Sequence, residues 1–282
     1  LERPNVVAGT NGVGLFKGKN VRLIASEPCW DAKSQDGFAC AVGPAGMMWT
    51  SVGPNSVWRQ IDLAAAHSDE HVGELRPDAT YFDLRAVAVK ENSIWVAGAP
   101  GTQIFRSLDR GQSWNVAETG HTLPIASLSF PDDKTGYAVG AYGMFFYTSD
   151  GGESWSDASA RLNNPQRLHI NAIAPVGPQS LVVVGEMGMI LRSDDLGESW
   201  TLQESPYDGS LFGVVAKGDT QLLFGLRGHV YQSLDGGVVW DEMDTGSEQT
   251  VLSGVVAQEH TLLVGNAGSV VFLIKLFQPD FE

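Results

Sequence analysis

Ser107-Leu108-Asp109-Arg110-Gly111-Gln112-Ser113-Trp114, Thr148-Ser149-Asp150-Gly151-Gly152-Glu153-Ser154-Trp155, Ser193-Asp194-Asp195-Leu196-Gly197-Glu198-Ser199-Trp200 and Ser233-Leu234-Asp235-Gly236-Gly237-Val238-Val239-Trp240 are four writings of one eight-residue phrase. Their tryptophans stand 41, 45 and 40 residues apart, so the chain is an array of near-identical units. A Gly-x-x-Gly precedes each box, at Gly98/Gly101, Gly140/Gly143, Gly185/Gly188 and Gly225/Gly228. It recurs without a good box at Gly43/Gly46 and Gly265/Gly268, which makes six units.

Apolar residues inside a unit fall in short runs, as in Ile170-Asn171-Ala172-Ile173-Ala174, Ser180-Leu181-Val182-Val183-Val184 and Gly188-Met189-Ile190-Leu191-Arg192. Each run ends at Gly, Pro, Asp or Ser, the pattern of four short antiparallel strands. No helical period is sustained, so the fold class is all-β, and some forty residues per four-stranded unit is the size of a propeller blade. The expectation is one domain over 1–282 with six four-stranded blades, seven being the alternative. First strands begin near Val21, Phe82, Ile125, His169, Leu211 and Val251. The N-terminal segment is expected to pair with the C-terminal unit and close the ring without a free sheet edge.

The boxes read as turns between third and fourth strands. In each, the Asp accepts from backbone N–H groups, Gly takes the tight conformation, and the Trp opens the next strand. Asp109, Asp150, Asp195 and Asp235, with Trp114, Trp155, Trp200 and Trp240, are therefore structural residues rather than acid/base groups. The Gly-x-x-Gly stretches are hairpin turns, because a nucleotide-binding loop needs a following helix and none is written. In the first unit the box has decayed to Ser51-Val52-Gly53-Pro54-Asn55-Ser56-Val57-Trp58, and an insertion follows it.

Forty-three per cent hydrophobic content is enough for a full core, and no stretch is apolar for the length of a membrane span. A net charge of −15 excludes nucleic acid as partner, since no basic stripe replaces the counterions of a phosphate backbone. Cys29 and Cys40 are the two cysteines. They are placed at the end of the first strand and the start of the second, where a hairpin brings them together. A disulfide in an extracytoplasmic compartment is the favoured reading, and two unpaired core thiols are the alternative. No leader is visible at a start of Leu1-Glu2, and whether a signal peptide or lipid anchor has been removed stays open.

His67 and His71 stand four apart in the insertion, with Glu70 and Glu74 as oxygen donors on the same helical face. The Glu that a zinc protease carries directly after its first His is missing, so the segment reads as a solvated loop, and residues 64–80 become a candidate partner contact. Arg106 and Arg192 hold one register, immediately before the box Ser, and are the second candidate contact. No nucleophile motif, metal site or cofactor loop is written. His121, His169, His229 and His260 are scattered at strand ends.

The box form Ser-x-Asp-x-Gly-x-Ser/Thr-Trp resembles the Asp-box, or BNR, repeat of sialidases and of many non-enzymatic propellers. Together with Tyr137-Ala138-Val139-Gly140-Ala141-Tyr142-Gly143 and Leu181-Val182-Val183-Val184-Gly185-Glu186-Met187-Gly188, it is more similar to the Ycf48/HCF136 group of photosystem II assembly and stability factors and their bacterial relatives. That resemblance runs over residues 21 to 275. It implies a periplasmic, lumenal or secreted propeller without catalysis or cofactor that binds a protein partner, such as a membrane-protein complex. The competing class is a sialidase-like or other glycan-binding or glycan-hydrolysing propeller. In a sialidase three arginines hold the substrate carboxylate beside a Tyr/Glu pair and an Asp acid, and here Arg3-Pro4 lacks the middle residue of the Arg-Ile-Pro that supplies the first.

Overall fold

The computed structural model describes residues 5–9, 12–17, 20–35, 38–52, 57–63, 83–256, 260–266 and 270–275. Seven antiparallel sheets follow one another along the chain. The middle five are four-stranded meanders, here blades I to V. Blade I holds β4 (Asp31–Gln35) to β7 (Arg59–Asp62), and blade II holds β8 (Asp83–Lys90), β9 (Ser93–Ala99), β10 (Gln103–Ser107) and β11 (Asn115–Glu118). Blade III spans β12 (Ile125–Ser129), β13 (Gly136–Gly140), β14 (Phe145–Thr148) and β15 (Ser156–Asp157). Blade IV runs from β16 (Ile170–Pro175) through β17 (Leu181–Gly185) and β18 (Ile190–Ser193) to β19 (Thr201–Leu202). Blade V runs from β20 (Leu211–Lys217) through β21 (Thr220–Gly225) and β22 (Val230–Ser233) to β23 (Asp241–Met243).

Among the described residues the four-stranded blades number five, neither six nor seven. Five blades are flanked by two three-stranded sheets, β1 (Asn5–Gly9), β2 (Gly12–Lys17) and β3 (Asn20–Ala25) at one end, and β24 (Val251–Val256), β25 (His260–Gly265) and β26 (Val270–Lys275) at the other. The expected closure by pairing of the two termini is also overturned. β1 pairs with β2 alone, and it packs against β4 and β24 without entering either sheet among the described residues. The residues near Val21, expected to open a blade as its first strand, form the third strand of the N-terminal sheet. Blade I begins instead with the polar Asp31–Gln35.

The core lies between successive sheets. Alternation along β5 (Phe38–Val42) sends Phe38, Cys40 and Val42 toward blade II, against Leu84, Val87, Ile94 and Val96, while Ala39 and Ala41 face the N-terminal sheet beside Val6, Ala8 and Val13. Each fully buried aliphatic or aromatic side chain of this kind contributes roughly 1.5–3 kcal/mol relative to exposure. The same alternation removes the expected disulfide. Cys29 packs with Ala39 and Ala41 on one face, Cys40 points to the other, and both are buried free thiols.

In a meander, the first-to-second and third-to-fourth turns share one end of every blade, and the second-to-third turns share the opposite end with the crossings to the next blade. The boxes and the Gly-x-x-Gly turns therefore lie on opposite faces of the ring.

Candidate functional site

At the box end every Asp is engaged within its own turn. Asp109 Oδ1 accepts from the Ser107 hydroxyl at 2.8 Å and from the Gln112 and Ser113 N–H groups at 2.9 Å, and Oδ2 accepts from the Ser113 hydroxyl at 2.6 Å. Asp150 repeats the pattern with Thr148, Glu153 and Ser154, and Asp195 with Ser193 and Ser199. The Ser199 hydroxyl, the Ser199 N–H and the Ser193 hydroxyl hold the Asp195 carboxyl down at about 2. Burial pushes the Asp150 carboxyl up, yet its Ser154, Thr148 and Glu153 donors together hold it well below the usual range. In blade V the hydroxyl is replaced by Val239, so Asp235 keeps the Ser233 hydroxyl and the N–H groups of Val238 and Val239. Carboxylates so held are poor proton carriers near neutrality.

In blades III to V one atom of the box serves the preceding blade. The residue after the Asp donates its N–H to the first turn of its own blade, Gly151 to Lys134, Leu196 to Gln179 and Gly236 to Asp219. Its carbonyl accepts from a side chain one blade upstream. Trp95 Nε1 reaches the Gly151 carbonyl at 2.8 Å, the Tyr137 hydroxyl reaches Leu196 at 2.8 Å, and Arg192 Nη1 reaches Gly236 at 2.8 Å. Arg106 Nη1 joins Trp95 on Gly151 at 3.3 Å. The two registered arginines thus bridge blade II to III and blade IV to V. Arg192 also forks onto Asp194, and Arg106 lies mostly buried against the box of blade III. Sequence placed the pair correctly in register. What it lacked was the packing that turns both guanidiniums toward the next blade. His67 and His71 lie outside the described residues.

The opposite face carries the Gly-x-x-Gly turns. In blades III to V the residue ahead of the second Gly is left-handed, at φ 55° for Tyr142, 52° for Met187 and 56° for Arg227. Bulky residues adopt this conformation at a cost of about 1–2 kcal/mol. Tyr142 and Met187 are nonetheless 54% and 66% exposed, displayed outward where glycine would be easier. A chain of contacts links the turns. Tyr142 meets the His169 ring edge-on at 4.6 Å, and the Glu186 carboxylate accepts from the His169 N–H at 2.8 Å. The Gly188 N–H donates to the Gly209 carbonyl, Tyr207 lies over His229 at 4.4 Å, and His229 Nδ1 pairs with Glu242 at 2.6 Å. This arc of Tyr, His and Met across three blades was missed in the sequence, where the turns were read only as turns. The variable residue between repeated glycines was its one signal.

A glycosidase constellation in a propeller would line the axial channel. Among the described residues lining it, Arg85 is the single arginine and no tyrosine is present, so three arginines do not converge there with a Tyr.

The family model described as photosynthesis system II assembly factor YCF48 matches residues 121–260, the stretch that holds blades III to V with their boxes and displayed turns. Over that stretch, just under half of its length, the chain is similar to the Ycf48 family. A relative, the photosystem II assembly lipoprotein Ycf48 of Synechococcus sp. (strain CC9902), is 30% identical over 145 residues, covering 49% of this chain and 42% of the relative. The chain thus matches less than half the length of that family member. Among solved structures, YCF48 bound to D1 peptide superimposes with a TM-score of 0.68 at 17% identity, over 95% of this chain and 88% of that one. YCF48 from Cyanidioschyzon merolae gives 0.66 at 15% identity, over 94% and 89%. At such identities the solved Ycf48 propellers speak for the fold of this chain alone.

Proposed function

We propose that this propeller is a non-catalytic assembly factor that binds an extended segment of a membrane-protein partner on the extracytoplasmic side of a membrane. The observation that carries the reading is the contrast between its two faces. Box-end polar groups are engaged by their own turns and by neighbouring blades. The other end holds Tyr142 and Met187 outward in a conformation that opposes the backbone preference, and Tyr and Met are side chains enriched at protein interfaces. The match to the Ycf48 family model supports the assembly role, a relative named as a lipoprotein supports a site beside a membrane, and a Ycf48 bound to a D1 peptide supports a polypeptide ligand. The segment 64–80, with His67 and His71, is proposed as an additional contact.

Calorimetric titration with the D1 peptide of the solved complex tests the reading. Saturable binding is expected, weakened by about tenfold, or some 1.4 kcal/mol, in a Tyr142→Ala, Met187→Ala double variant. Absence of saturable binding, combined with turnover or capture of a sialoside, overturns it in favour of the glycan class.

A further inference from the structure

The innermost strands enclose a cavity of about 520 Å³ along the ring axis, within the size range of small-molecule sites. Its charge is at odds with the rest of the molecule. The chain carries a net −15, yet among the described residues lining the cavity three are cations, Lys33, Arg85 and Lys90, and one is a carboxylate, Asp31. All four sit on β4 and β8. The wall from β12, β16, β20 and β24 is uncharged, built from small residues such as Ala126, Ser127 and Ser253 with Phe212 among them.

The charged wall is a ladder. Trp30 Nε1 donates to Asp83 at 2.5 Å at one mouth, and Gln35 accepts from the Glu91 N–H at the other, so β4 and β8 run side by side along the channel. Arg85 stands near the first mouth, Lys33 midway and Lys90 near the second. At about 3.4 Å per residue, Arg85 and Lys90 are about 17 Å apart.

The nearby acids leave this wall with donors to spare. Asp31 is shared among the Ala32 N–H, the Val87 N–H and Lys33 Nζ. Asp83 takes both the Trp30 indole and the Arg85 Nε and Nη2 on its two oxygens. Lys90 Nζ is held by a neutral carbonyl, that of Pro131. An ammonium has three N–H donors and a guanidinium five, so each cation retains capacity toward the cavity. A cleft with an excess of one sign between low-dielectric walls favours the opposite charge.

We infer that the channel is a binding site for an amphipathic organic monoanion, its carboxylate on the Lys33–Arg85 wall and its apolar body against the small-residue wall. The site is separate from the displayed turns and independent of the partner reading.

Isothermal titration with naphthoate, naphthylmethanol and naphthylmethylammonium separates charge from apolar burial. The carboxylate is expected to bind about tenfold more tightly than the alcohol, with the ammonium weakest. A Lys33→Gln, Arg85→Gln double variant brings carboxylate and alcohol to equal affinity. Ala126→Trp, which fills the cavity from the uncharged wall, removes binding of both while the charged wall stays intact. Equal affinity of all three probes for the native protein, or naphthoate binding untouched by both variants, overturns the proposal. Loss of D1-peptide binding with naphthoate binding retained sinks only the partner reading.

Discussion

The Tyr137 hydroxyl and the Leu196 carbonyl meet at 2.8 Å across the boundary between blades III and IV, joining a strand interior to a turn 59 residues further along the chain. The tyrosine ring is itself buried, and burial pushes its hydroxyl up to about 12, so it stays a donor through the neutral range.

Removing that hydroxyl with Tyr137→Phe is expected to cost about 1 kcal/mol of unfolding free energy, because the Leu196 carbonyl loses its partner while the ring still packs. Arg192→Ala, which takes a charged donor from Gly236, is expected to cost roughly 1.5–3 kcal/mol, and Arg192→Lys to recover only part because the planar fork is lost. Urea titration reads both, and no shift in midpoint for either variant refutes the clamp.

Acid stability follows from the boxes. Asp195 is lowered to about 2 in the folded chain, from a usual carboxylate value near 3.8. A depressed carboxyl stabilises the fold above its unfolded value, and that stability is lost as pH falls through the folded one. Asp195→Asn is therefore expected to lower the thermal midpoint at neutral pH and to flatten its fall between about pH 4 and pH 2. An unchanged slope in that window counts against the carboxylate's role.

Met187→Gly relieves a left-handed methionine and is expected to raise stability by up to about 1 kcal/mol while weakening capture of the peptide partner. Gly188→Ala works the other way. The backbone there is at φ +68°, and an added Cβ collides with the Tyr207 carbonyl, so a loss above about 1 kcal/mol is expected. Paired denaturation and peptide titrations check the trade, and a Met187→Gly protein that is less stable and binds normally defeats it.

Both thiols should be silent in the native protein. Burial, with Glu27 nearby, pushes Cys29 up to about 12, and Cys40 is shifted in the same direction by burial, Asp31 and Cys29. Alkylation without reductant is expected to label neither cysteine in the folded chain and both in denaturant. A denatured, unreduced protein that stays unlabelled points to a bridge instead.

The repeating turns were legible because their chemistry is local. A box Asp and its donors lie within four residues of one another, and the first strands at Ile125, Leu211 and Val251 are apolar runs bounded by turn residues. The blade count failed where that logic stopped. Gly-x-x-Gly marks a second-to-third turn and says nothing about whether a fourth strand follows, and among the described residues the terminal sheets have three. β4 reads Asp-Ala-Lys-Ser-Gln, polar because it borders the channel, so the apolar Val21 run was taken for the first strand and Cys29 was put in the wrong hairpin. The inter-blade role of Arg106 and Arg192 was illegible for a different reason. Their acceptors are main-chain carbonyls 44 or 45 residues away, and a carbonyl leaves no mark in a sequence.

In blades III to V the acceptor after the box Asp belongs to the backbone, whereas its donor changes from Trp95 to Tyr137 to Arg192 around the ring. Recognition between blades is thus one-sided and directional. A copied blade brings a ready docking point for whatever precedes it, and a single new donor upstream fastens it in place. An array built this way lengthens by duplication without matched changes on both sides of each seam.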